Sequence, residues 1–76
     1  MKGLHNLKPE KVVKAFERAG WEVKRQTGSH VILAKEHNPL ILSVPVHKGK
    51  PLKHGLLCKL IEISVLTEDQ FLLYYK

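Results

Sequence analysis

A chain of 76 residues with 43% hydrophobic side chains carries enough apolar material for one small folded domain, expected to span residues 1–76, and too much for a disordered segment. No apolar run approaches the roughly 20 residues a membrane-spanning helix needs, Met1–Asn6 lacks the apolar segment of a signal peptide, and the single cysteine, Cys58, precludes an internal disulfide, so the expected setting is the reducing cytoplasm. Thirteen Lys+Arg against seven Asp+Glu leave a net charge of +6, which points to a polyanionic partner such as nucleic acid or an acidic protein; a membrane surface is disfavoured because no long helix is basic on one face and apolar on the other.

After a short lead-in over Leu4–Leu7, Lys8-Pro9-Glu10 has the form of a helix start, with proline at the first helical position and an acid in the first turn. Val12, Val13, Phe16 and Ala19 recur at helical spacing, and Gly20 is placed to stop the helix in a left-handed conformation, so a helix is predicted over Pro9–Ala19. From Trp21 to Thr27 the chain alternates, with Trp21 and Val23 on one side and Glu22, Lys24 and Gln26 on the other, the pattern of a half-buried strand. Gly28-Ser29 supplies a turn. His30–Lys35 is a second strand, Glu36-His37-Asn38-Pro39 a second turn, and Leu40–Val44 a third strand stopped by Pro45.

Val46–Pro51 reads as a basic loop, followed by a helix from Lys53 to about Ile63 whose apolar stripe is Leu52, Leu56, Leu57, Leu60 and Ile61. Thr67 with Gln70 three residues on forms a capping-box pattern for a last short helix that would turn Phe71, Leu72 and Tyr75 inward. The expected fold class is α+β: a two-layer α-β-β-β-α sandwich with a three-stranded antiparallel sheet, two helices over its apolar face, and a short C-terminal helix. The opposite face, carrying Lys24 and other polar residues, is expected to stay open.

Several of these pieces together resemble the HicA family of toxins from bacterial toxin–antitoxin systems. They are Ala19-Gly20-Trp21, Gly28-Ser29-His30, Val44-Pro45-Val46-His47, the run Lys50-Pro51-Leu52-Lys53-His54-Gly55-Leu56-Leu57, and Leu66–Leu72. The resemblance implies a fold similar to the double-stranded-RNA-binding domain and an endoribonuclease acting on messenger RNA. It implies that His30 is the catalytic histidine and that a HicB-type antitoxin covers the site. Members often carry an arginine and a Gln-Ala-Gly ending on the second long helix. Here that helix has Cys58-Lys59 and runs on through Glu62-Ile63-Ser64-Val65 without a glycine stop.

The chemistry suits the residue. RNA carries its own nucleophile in the 2′-hydroxyl, and an imidazole, with an ordinary pKa of about 6.5, can take or give a proton near neutrality. Cations near the phosphate would stabilise the developing charge, and Lys24, Arg25, Lys35, Lys48 and Lys50 are candidates on the strands and basic loop. Gly28 and Ser29 would let the RNA backbone approach closely, with the Ser29 hydroxyl or a backbone N–H bonding a phosphate oxygen, and His47 is expected as a phosphate contact or a surface loop residue. Metal-independent cleavage with no cofactor is expected.

Duller readings stand beside these. Taken alone, His30 would be a strand-edge histidine, and alternation puts it on the face of Ile32 and Ala34, which leaves its direction open. His47 and His54 lack the close spacing of structural metal ligands. Ser29 adjoins His30, a poor geometry for a Ser–His nucleophile pair. Cys58 reads as a packing or surface residue, Trp21 as core, and Tyr74 and Tyr75 as capping the core or facing a partner. The alternative to a nuclease is a non-catalytic RNA-binding module of the same fold, with a domain that docks an acidic protein as a third reading.

Overall fold

The computed structural model describes residues 7–47 and 49–75; the lead-in before Leu7 lies outside them. Helix α1 runs Pro9–Arg18 with Pro9 at its start, Glu10 in the first turn and Arg18 in the last. Lys8, at the N-cap, has no side-chain cap, but its backbone N–H donates to the Tyr75 hydroxyl at 3.1 Å. The other end closes by two backbone bonds. The Gly20 N–H donates to the Glu17 carbonyl and the Trp21 N–H to the Phe16 carbonyl, each at 3.0 Å, with Gly20 at φ +106°. These are the two bonds of a Schellman closure, with Phe16 and Trp21 as its apolar contact pair, and both side chains are buried. Because the Trp21 amide is committed to that closure, the strand expected from Trp21 begins at Glu22. The indole sits in the core, as expected, and its Nε1–H has no acceptor among the described residues.

Strands β1 (Glu22–Thr27), β2 (His30–Lys35) and β3 (Asn38–Pro45) form an antiparallel sheet in the order β1-β2-β3. Val31, Leu33, Leu42 and Val44 are buried on the helix-covered face. His30, Ile32 and Ala34 lie on the other face beside their β3 partners Pro45, Ser43 and Ile41. That face carries no helix, so His30 points away from the core.

Three strand expectations need correction. β1 is not half-buried: all six of its residues are exposed, and Val23 is 42% exposed. It is an edge strand, and its pairing slips between Val23 and Arg25, leaving Lys24 as an extra residue. Beyond the slip the faces exchange. Arg25 pairs with Ile32 and Thr27 with His30 on the open face, and Gln26 falls on the helix side. The second correction concerns Asn38 and Pro39, which belong to β3; the turn is only Glu36-His37, with His37 at φ +69°. A second irregularity, where Ala34 pairs with Ile41 but Lys35 with Asn38, accommodates Pro39, which has no N–H to lend a ladder. Thirdly, Pro45 ends β3 from inside it.

Helix α2 (His54–Ser64) lays Leu57, Leu60 and Ile61 into the core and packs on β3. Its missing glycine stop has a local substitute. Val65 itself adopts the left-handed conformation, φ +64°, and its N–H donates to the Glu62 carbonyl at 3.1 Å. The buried Ser64 hydroxyl donates to the Ile61 carbonyl at 2.6 Å. Helix α3 (Glu68–Tyr75) begins with the expected capping box. The Gln70 N–H donates to Thr67 Oγ1 (3.1 Å) and the Thr67 N–H to Gln70 Oε1 (2.9 Å). α3 packs on α1, with the buried Phe71 ring 5.1 Å from that of Phe16 and Tyr75 beside it. The architecture is thus α+β, α-β-β-β-α with a third helix.

A valine held at φ +64° is strained, because a left-handed conformation costs an L-residue about 1–2 kcal/mol. Val65 is 80% exposed, so its side chain contributes little packing in return. Val65→Gly is expected to raise stability by about 1 kcal/mol and to raise Tm by about 4–8 °C in thermal unfolding.

Candidate nucleic-acid interface at the end of the sheet

Gly28 and Ser29 are the two-residue loop between paired Thr27 and His30, with positive φ (+58°) at Gly28 but not at Ser29. That is the pattern of a type II′ hairpin turn, for which Gly-Ser suits the sequence. The Gln26 side-chain amide braces it by donating to the Gly28 carbonyl at 3.3 Å. A Cβ on Gly28 would meet nothing within 4 Å, so the space outside the turn is open.

The turn is fastened to the far end of β3. His30 pairs with Pro45, and the Val46 N–H donates to the Ser29 carbonyl at 2.6 Å. This bond carries the chain past Ser29 and delivers His47 to it, with Ser29 Oγ and His47 Nε2 3.5 Å apart, at the edge of hydrogen-bond range. His30 and His47 are both exposed, and no hydrogen bond or ion pair engages the His30 ring among the described residues. The Lys50 N–H then donates to the His47 carbonyl at 3.0 Å, folding Lys50 back over the strand end. An open groove of about 390 Å³ follows, with His47, Lys50 and Lys53 supplying positive charge or protons above Pro45, Leu52 and Leu56. Lys48 lies outside the described residues.

The structure therefore gathers Gly28, Ser29, His30, His47 and Lys50 at one end of the sheet. Arg25 shares the open face with Thr27 and His30 only because of the irregularity at Lys24. Two predicted cations are elsewhere. Lys24 pairs with Glu22 at 2.9 Å, both exposed, and its hydrogen bond and charge hold the Glu22 carboxyl below its ordinary pKa. Lys35, at the opposite end of β2, donates to the Ala19 carbonyl at 3.4 Å and helps close α1.

Lys53 was not among the residues expected here; it stands three positions after Lys50, immediately before α2, which is the signal that could have found it. Thr27 was also missed, because its place beside His30 follows from the two-residue turn. Among the described residues, no three His, Cys, Asp or Glu side chains cluster closely enough to hold a metal ion, and no helix is long and apolar enough to cross a membrane. Cys58 is half-buried against the core, 3.5 Å from His54 Nε2.

The turn holds the site together, so its glycine has a measurable role. Gly28→Ala meets no steric obstacle and suffers only the backbone cost of positive φ. It is expected to lower unfolding free energy by about 1–2 kcal/mol in denaturant titration.

Residues 9–64, from the start of α1 to the end of α2, match the family model described as HicA toxin of bacterial toxin-antitoxin. The matched span includes the Gly-Ser-His turn, the Pro45–His47 strand end and the groove, and leaves α3 outside. A search of curated proteins gives no match. With nearly three quarters of its length matched, from the helix that opens the fold to the helix that closes the groove, the chain belongs to the HicA toxin family of bacterial toxin–antitoxin systems.

Proposed function

We propose that this toxin is an endoribonuclease that cleaves messenger RNA, with His30 as a general acid/base and no requirement for a metal ion. The observation that supports this most is the position of His30: exposed on the uncovered sheet face, at the end of a strand, next in sequence to Ser29, which contacts His47, and paired with Pro45, which lines the basic groove. A pure binding module has no need of an imidazole there. The RNA supplies the nucleophile, so the protein's task is to move protons and stabilise charge. The 2′-hydroxyl loses its proton, the 2′-oxygen attacks phosphorus, and the 5′-oxygen leaves protonated. The products are a 2′,3′-cyclic phosphate and a free 5′-hydroxyl. Arg25 on the open face, and Lys50 and Lys53 along the groove, are the cations placed to neutralise the phosphates.

A toxin of this family implies an antitoxin partner. We propose a HicB-type protein that lays acidic groups over His30 and the groove and competes with RNA. Its association is expected to slow as salt rises, since the attraction between exposed charges is screened over about 8 Å at physiological ionic strength. The fold is proposed to be similar to the double-stranded-RNA-binding domain and the setting to be the cytoplasm.

Two outcomes are expected. In excess chelator across a pH series, the native chain cuts RNA, whereas His30→Ala binds it with little change and loses about 10²–10⁴-fold in rate. If neither cuts and both bind alike, the chain is an RNA-binding module; activity lost in chelator and restored by a divalent ion would overturn the metal-free part. Secondly, Lys50→Ala and Lys53→Ala weaken RNA binding and flatten its salt dependence, by about 0.7 in the log–log slope for each phosphate that is no longer neutralised. Lys35→Ala, occupied at the end of α1, leaves that slope unchanged.

A further inference from the structure

Resting on the RNA-cleaving reading, we propose that His47 is a second catalytic residue, which divides the two proton transfers of the cleavage with His30.

The chemistry calls for two groups. In an in-line displacement the attacking 2′-oxygen and the departing 5′-oxygen lie on opposite sides of phosphorus. One imidazole cannot reach both in the same step. A second proton carrier must stand across the phosphate from the first, and an imidazole is the side chain that does this near neutral pH.

The fold brings a second imidazole to the same end of the sheet by a short route. His30 is paired with Pro45, and His47 follows two residues later. The bond from the Val46 N–H to the Ser29 carbonyl (2.6 Å) fixes the intervening step. The Ser29 hydroxyl lies 3.5 Å from His47 Nε2, and the ring is exposed. His30 thus lies on the sheet face and His47 beyond the strand end, with the small Gly28-Ser29 turn beside them and open space outside Gly28. Among the described residues, the other titratable groups at this end of the sheet are His30 on the paired strand and Lys50 and Lys53 in the groove, and no carboxylate lines that groove. Its cations hold the neighbouring phosphates while the two histidines exchange protons with the scissile one.

The step balances within the RNA and the pair. One neutral imidazole takes the 2′-hydroxyl proton as the O2′–P bond forms. The P–O5′ bond breaks with its electron pair on the oxygen, and the other, protonated imidazole gives its proton to that oxygen. The products are a 2′,3′-cyclic phosphate and a 5′-hydroxyl, and no water or other co-reactant is consumed.

The test uses the full chain, His30→Ala and His47→Gln, the last keeping a polar group of similar reach without a transferable proton. Rates are measured at saturating RNA over a pH series. Each enzyme is also given an RNA whose scissile 5′-oxygen is replaced by sulfur, a leaving group that departs without protonation. The native chain is expected to show a bell-shaped profile. His47→Gln is expected to lose one limb and about 10²–10⁴-fold in rate on ordinary RNA. The sulfur substrate is expected to restore whichever variant has lost the acid, His30→Ala or His47→Gln, and not the other. If His47→Gln keeps both limbs and most of its rate, or if sulfur restores neither variant, His47 is no more than a phosphate contact and the proposal falls with the nuclease reading intact. If the native chain cuts neither substrate, the nuclease reading itself falls and takes this inference with it.

Discussion

The site depends on one backbone hydrogen bond, from the Val46 amide to the Ser29 carbonyl across 2.6 Å. It joins the β1–β2 turn to the residue that leaves β3, at the point where the sheet's own pairing runs out. The His30–Pro45 pair sits just inside it and the Ser29–His47 contact just outside. Without this bond the chain after Pro45 could leave the sheet in many directions, and Ser29 would be a solvated turn residue. With it, two histidines distant in sequence are brought to the same end of the sheet. A site of this kind, built on strand ends, holds its geometry better than one carried by a long loop.

The rest of the fold supplies the conditions for that bond. The helices cover one face of the sheet, so Val31, Leu33, Leu42 and Val44 hold β2 and β3 in register from below. A slip of one residue would send these side chains to solvent and turn His30 into the core. The uncovered face is left with His30, Thr27 and Arg25, and the irregularity at Lys24 is what turns Arg25 toward it. α3 acts at a distance: Phe71 fills the space against Phe16, and the Tyr75 hydroxyl accepts the Lys8 amide at the start of α1. It lies outside the span matched to the family, and it serves the core rather than the site.

Much of this was legible in the sequence because it is local. Pro9 and Gly20 mark the two ends of α1, the Val-Ile-Leu run marks β2, and Thr67 with Gln70 marks the third helix, each through a bond or a dihedral angle set within a few residues. The Gly-Ser turn was readable for the same reason. What was not legible depends on partners far along the chain. The extra residue at Lys24 is an effect of pairing with β2, and alternation alone assigned Gln26 to the wrong face. Pro39 has the character of a turn residue, and only the second irregularity gives it a place in a strand. Lys24 and Lys35 could be recognised as basic but not as engaged, one with Glu22 and the other with the end of α1. The groove appears only when the basic loop is folded back onto α2. A valine in a left-handed helix end is the opposite of what propensity suggests, and the buried Ser64 hydroxyl helps explain how the helix stops there.

These features belong to a small basic toxin, and the proposed function has its protein groups move protons and neutralise phosphates while the RNA supplies the nucleophile. The most direct test is cleavage of an RNA in which the 2′-hydroxyl at the cut position alone is replaced by hydrogen, with the ends of the ordinary product analysed in parallel. The expected result is no cleavage at the altered position, and a 2′,3′-cyclic phosphate with a 5′-hydroxyl from the ordinary RNA. Cleavage of the altered RNA, or products ending in a 3′-hydroxyl and a 5′-phosphate, would mean that water rather than the RNA is the nucleophile, and would contradict the role given to His30.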